Sequence, residues 1–258
     1  RIELIGQAFP YTPISNPRWM FPKWSFGIRP QRVQEHVDKA RADGAEVVVL
    51  LSHDGFDVDQ KLATVVNGID VILTGHTHDS IPVALKVGQT LLLSSGSHGK
   101  YLGRIDLEVK GGKVVDYNST MIPVFADVIE PDKEMAAKID EVRAPFEAEC
   151  NRVIGKTEGL LYRRGNFNGS WDDLICEGLM EERDAEISIS PGFRWGTTLL
   201  PGDNITIDDL YTQTGMTYPN VYRLEFTGAQ LKEILEDVCD NLFHKDPFYQ
   251  HGGDMKPN

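Results

Sequence analysis

The chain has 258 residues, 41% of them apolar and 9% aromatic, enough to bury a sizeable core in one large or two ordinary domains. Its 26 basic and 39 acidic residues give a formal charge of −13 with no Lys/Arg block, which argues against nucleic acid or an anionic membrane surface as the main partner. No apolar run reaches the roughly 18 residues of a membrane span and no signal-peptide pattern opens the chain, which begins at Arg1 without an initiator Met and reads as an internal part of a longer protein.

In chain order, Trp19, Phe21, Trp24 and Phe26 come first, set among prolines; such aromatics either anchor a loop or form a lip that receives a partner's peptide. Pro30 then opens an amphipathic helix with Val33, Val37 and Ala40 on one face and Gly44 just past its end. The run "EVVVLL" at 46–51 has the length and β-branched character of a strand buried on both faces. A short helix at about 60–66 and a second buried run at 69–73 follow, so helices alternate with apolar strands as in an α/β layer. After a third run at 91–94, Gly111-Gly112 between "RIDLEV" and "VVDYNSTM" signals a hairpin, where the sheet is expected to turn antiparallel.

Residues 132–151 read as one charged helix with Met135, Ile139, Val142 and Phe146 at helical spacing, a connector between two domains. Beyond it we expect a helix at 171–182, a strand at 185–190, the loop "PGFRWG", a strand at 221–226, and a helix from Thr227 to about Phe243 opened by the Thr227/Gln230 capping box. Cys150, Cys176 and Cys239 are scattered through helical stretches without a C-x-x-C, which favours buried structural thiols and leaves the redox compartment open.

Two loops follow the two buried strands, "LSHDG" with His53 and "TGHTH" with His76 and His78. In an open α/β sheet, ligands collect beyond the carboxyl ends of the strands, so the three imidazoles could converge on a metal, with Gly75 allowing close backbone approach. The alternative is loop histidines that hold nothing. His98, after the third run, could line the same edge as a supporting residue. Arg194 with Trp195 in "SPGFRWG" offers a planar guanidinium fork matched to phosphate or sulfonate oxygens, or else a salt bridge. His251 and Asp254 in "HGGDM" could face the site or belong to a turn.

The succession of "SHDG", "GHTH" and "SSGSHGKYLGRIDL", then "SPGFRWGTTLLPGDNITIDDLYTQTGMTYPNVYRLEFTGAQLKEILE", resembles the metallophosphoesterase domain and C-terminal domain of the 5′-nucleotidase superfamily. That resemblance implies an α/β fold: the C-terminal half of a calcineurin-like metallophosphoesterase α/β sandwich (1–130), a linker helix (131–153) and a partial α+β substrate-binding domain of the 5′-nucleotidase type (154–258). It implies that His53 and His76 bind one metal and His78 another, with the remaining ligands and the acid histidine in motifs upstream of Arg1. By itself, then, this chain is expected to hold little tightly bound metal and to turn over negligibly.

The segments "IGQAFPYTPISNPRWMFPKWSFGIR" and "FYQHGGDM" are similar to the SoxB family, whereas "SPGFRWG" and Tyr218-Pro219 depart from the nucleoside-binding loops of nucleotidases. The SoxB resemblance implies a periplasmic enzyme that releases sulfate from a cysteine S-sulfonate on the carrier SoxYZ. It implies two divalent metals, manganese foremost and zinc or iron otherwise, which activate water at the sulfone sulfur. Arg194 would be the catalytic anion clamp, and Arg194, Trp195 and Tyr218 the substrate-binding residues. A monomer is the expectation. A 5′-nucleotidase or cyclic-nucleotide phosphodiesterase is the competing enzyme, and an inactive or binding module the competing class.

Overall fold

The computed structural model describes residues 1–163, 169–190, 197–214 and 220–250. The chain divides into two compact units, the first spanning Arg1–Val124 and taken up again from Cys239, the second spanning Phe125–Val238.

The first unit opens with β1 (Ile2–Gln7) and the single-turn α1 (Thr12–Ser15), followed by α2 (Pro30–Ala42) and β2 (Val47–Ser52). Then come α3 (Phe56–Val65), β3 (Val71–Thr74), β4 (Leu85–Val87) and β5 (Thr90–Leu93). The strands lie in the order β1-β2-β3-β5-β4, the first four parallel and β4 antiparallel to β5. Val33, Val37 and Ala40 of α2 and Leu62 of α3 pack on Val48 and Leu50 of β2, Ile72 of β3 and Leu92 of β5. These β-branched and aliphatic runs form strands because the parallel sheet buries their alternate side chains under helices.

β6 (Tyr101–Lys110) and β7 (Lys113–Pro123) form the expected hairpin. Gly111 and Gly112 both have positive φ, 57° and 73°, as a tight two-residue turn between right-twisting strands requires. The hairpin is a separate two-stranded sheet, and the switch to antiparallel pairing occurs earlier, at β4–β5. β4 is only three residues long, so no hydrophobic alternation announces it. Ile105, Leu107 and Tyr117 of the hairpin pack beside Val71, Leu91 and Leu93 on the second face of the parallel sheet. Among the aromatics of the opening segment, Phe21 is buried and packs edge-on against Phe26 at 5.3 Å, whereas Trp19 and Trp24 are exposed.

In the second unit the expected connector helix is two helices, α4 (Lys133–Arg143) and α5 (Glu147–Cys150). Asp132 caps α4 by accepting from the Met135 N–H at 2.8 Å. Pro145 explains the break, since it has no N–H to continue the ladder and its ring crowds the preceding turn. Met135, Ile139, Val142 and Phe146 are exposed. β8 (Val153–Lys156) pairs antiparallel with β9 (Asn204–Thr206), and α6 (Ser170–Arg183) and α7 (Ile207–Thr214) complete the described core.

α8 (Gly228–Phe243) begins at the expected capping box, in which Gln230 Oε1 accepts from the Thr227 N–H at 2.8 Å. The strands expected at 185–190 and 221–226 are not strands. Their apolar alternation is present, but Ile187, Ile189, Tyr222 and Leu224 stay exposed, and no described strand takes up their ladder hydrogen bonds. The cysteines also differ from expectation: Cys150 and Cys176 are half-buried and Cys239 is exposed, all as free thiols.

Candidate metal centre

The parallel register pairs Ser52 with Thr74, so β2 and β3 end flush and their following loops leave the same sheet edge side by side. The Gly75 N–H donates to Ser52 O at 2.9 Å and the His53 N–H to Gln7 O at 3.0 Å, which ties each histidine loop to its neighbouring strand. The rings of His53 and His76 lie 5.2 Å apart. Phe9, beyond the end of β1, packs 4.3 Å from the His76 ring and 6.3 Å from the His53 ring, an apolar wall behind both imidazoles.

His78 and His98 form a second pair, their rings 6.0 Å apart. His76, His78 and His98 all have left-handed backbone, with φ of 72°, 57° and 59°. Left-handed backbone is uncommon for side-chain-bearing residues, and three instances at one sheet edge mark loops shaped for something other than easy backbone geometry. His98 Nδ1 lies 2.9 Å from the Ser97 hydroxyl.

Two carboxylates complete the buried surroundings. Asp54 is fully buried, and neither of its oxygens accepts a well-formed hydrogen bond. Burial, and then the charge of Asp59, push its pKa up to about 8 against the opposing effect of the Gln7 amide. Asp59, equally buried, accepts from the Ser52 hydroxyl at 2.7 Å. Burial raises its pKa to about 6, with the Ser52 and Thr74 hydroxyls acting in the opposite sense.

This arrangement fits a divalent cation. Imidazoles are good ligands for manganese, iron or zinc, and the buried Asp54 carboxyl, whose oxygens make no well-formed hydrogen bond, is a group whose charged form a nearby cation would favour. Gly75 supplies the clearance: a Cβ there would sit 3.1 Å from His53 Nδ1 and 3.5 Å from Ser52 O. His53, His76 and His78 are the residues that would hold metal. Among the described residues no group of three His, Cys, Asp or Glu converges as a complete ligand set. Gly75→Ala is therefore expected to displace His53 and weaken metal affinity about tenfold, the scale of supporting-residue losses, in a protein that still folds; calorimetric titration of metal into the variant measures it.

Arg194, Trp195, Tyr218, His251 and Asp254 lie outside the described residues. Sequence reasoning passed over Phe9, Gln7, Asp54 and Asp59. Asp54 stood in the quoted "SHDG" loop, whereas Asp59 preceded the helix expected at about 60–66; α3 in fact begins at Phe56, and packing turns Val58, Asp59 and Leu62 inward together.

A profile of the 5′-nucleotidase C-terminal domain matches residues 153–256. A snake venom 5′-nucleotidase of Crotalus adamanteus is 25% identical over 70% of this chain and 34% of its own length. YunD, a metallophosphoesterase of Bacillus subtilis, is 32% identical over 91% of this chain and 49% of its own. The structure of the sulfate thiohydrolase SoxB of Thermus thermophilus superimposes with a TM-score of 0.92 at 40% identity, covering 98% of this chain and 47% of that one. The chain thus spans between about a third and a half of these relatives. The metal-suited histidine loops of the first unit and the matched domain in the second lead to one conclusion: the chain belongs to the 5′-nucleotidase superfamily, a family of metal-dependent hydrolases.

Proposed function

We propose that this chain forms part of a dinuclear metal-dependent sulfohydrolase that acts on a cysteine S-sulfonate carried by SoxYZ in the periplasm during thiosulfate oxidation. The observation that carries this reading is the similarity to SoxB over nearly the whole chain, at 40% identity and a TM-score of 0.92. When bound, two divalent ions, manganese foremost, supply Lewis-acid polarisation and lower the pKa of water.

The protein's own residues supply the frame. His53 and His76 would hold one ion and His78 the other, and Phe9 packs against both rings of the first pair. On the family resemblance we assign substrate binding to Arg194, Trp195 and Tyr218, the guanidinium of Arg194 being suited to sulfonate oxygens and to charge that grows as the reaction proceeds. In the overall step water adds oxygen to the terminal sulfur and the S–S bond breaks. Sulfate departs with that oxygen, the carrier sulfur keeps the bonding pair as a thiolate, and the two protons of the water pass to solvent. A thiolate leaves without a proton donor, so the chemistry asks little of a general acid at this position.

The matched C-terminal domain profile and the venom nucleotidase favour a second reading, phosphate release from nucleotides by the same metal chemistry. The full-length protein, loaded with manganese, is expected to release sulfate from S-sulfonated carrier and to leave AMP nearly untouched. Rapid phosphate release from AMP, with no sulfate from the carrier, would reverse the assignment.

A further inference from the structure

We propose that Asp59 is the positioning residue of the metal centre, setting the spacing between the His53 loop and the His76–His78 loop through the hydroxyls at their roots. This rests on the reading that these histidines hold metal.

Asp59 lies in the first turns of α3, between the fully buried Val58 and the buried face of Leu62. An apolar residue would cost nothing there, whereas a buried carboxylate is unfavourable unless its oxygens are used. Oδ1 accepts from the Ser52 hydroxyl at 2.7 Å. Ser52 Oγ in turn accepts from the Asp54 N–H at 3.2 Å. The chain of donors therefore runs from the Asp54 amide through Ser52 to Asp59, fixing the Ser52 rotamer and the peptide that follows His53.

On the other side stands Thr74, the last residue of β3 and two before His76, its side chain buried like that of Asp59. Asp59 Oδ2 and Thr74 Oγ1 are both buried, and neither makes a well-aligned hydrogen bond. The same helix end makes a third link: the Phe56 N–H donates to Thr77 Oγ1, between His76 and His78, at 3.1 Å. Ser52, Thr74 and Thr77 are all buried, so these hydroxyls have no water to fall back on. The start of α3 thus holds both loops from which the three candidate ligands depart, the first through the Asp59 carboxylate and Ser52, the second through Phe56 and Thr77. Partners of this kind, bonded to the frame around a ligand rather than to the metal, govern affinity by orientation.

The test is a manganese titration of the chelated full-length protein, followed by calorimetry and by the electron paramagnetic resonance of the bound ion. Asp59→Ala is expected to weaken manganese binding about 10- to 100-fold and broaden the resonance, whereas Asp59→Asn, which keeps an acceptor for Ser52, stays within about threefold of wild type. Leu62→Ala, buried in the same helix but with an apolar side chain that makes no hydrogen bond, lowers the melting temperature without moving the affinity of the folded protein. Should Asp59→Ala not fold, Ser52→Ala breaks the same link by removing one oxygen, and about a tenfold loss is expected.

Wild-type affinity in folded Asp59→Ala or Ser52→Ala, or an equal loss in Leu62→Ala, would overturn the positioning role. A wild-type protein that binds no manganese would overturn the metal-centre reading and this role with it. Binding without sulfate release would count only against the proposed substrate.

Discussion

Replacing His76 with asparagine in the full-length protein is expected to lower kcat/KM for sulfate release by at least about 10³-fold, equivalent to about 4 kcal/mol of transition-state stabilisation. The residue is buried, its ring packs 5.2 Å from His53 and 4.3 Å from Phe9, and its backbone is left-handed at φ 72°. Asparagine tolerates that backbone better than alanine, so the substitution removes the imidazole without adding backbone strain. The loss is set above the 10- to 100-fold typical of supporting residues because an imidazole on the metal itself would be gone. Tightly bound metal is expected to fall in parallel, with the melting temperature shifted by no more than a few degrees. A folded variant that keeps a tenth of wild-type activity would remove His76 from the ligand set.

The second large effect concerns stability. Arg163 and Asp172 form a buried ion pair, with Arg163 Nε donating to Asp172 Oδ1 at 2.8 Å and both side chains at most 3% exposed. Arg163 also donates to the Gln213 carbonyl, and Asp172 Oδ2 accepts from the Gly169 N–H at 3.0 Å, which closes the first turn of α6. Burial pushes the Asp172 carboxyl up, against the opposing pull of the Arg163 guanidinium, so desolvation outweighs the attraction between the partners.

Asp172→Ala would leave the guanidinium buried opposite a void. The expected cost is about 3–5 kcal/mol, read as a lower denaturant midpoint for the second unit. Replacing both partners together, Asp172→Leu with Arg163→Met, is expected to recover most of the loss, because two desolvated charges are exchanged for packed apolar volume. A loss below about 1 kcal/mol in the single variant would mean that the pair is solvated in solution.

Some elements were legible because a local signal and the tertiary environment agreed. Val33, Val37 and Ala40 do form the buried face of α2, Gly111-Gly112 does turn the hairpin, and Thr227 with Gln230 does open α8. Others failed where a local signal needed a distant partner. The alternating residues at 221–226 had strand character but no neighbouring strand among the described residues, and Pro145 interrupted a periodicity that continued through it. The histidines were legible as a group, since each follows a strand of one parallel sheet and must leave from the same edge.

By itself the sequence determined the alternation of helices and buried strands, and hence that His53, His76 and His78 share an edge, because periodicity and turn chemistry act within a few residues. Only the tertiary structure decided which imidazoles pair, that Phe9 from 44 residues upstream backs His53, and that Asp59 turns inward to the hydroxyls rather than outward to water. Those outcomes depend on the register of β2 against β3 and on the face that α3 presents to the sheet, and both are fixed by packing between segments far apart in the chain.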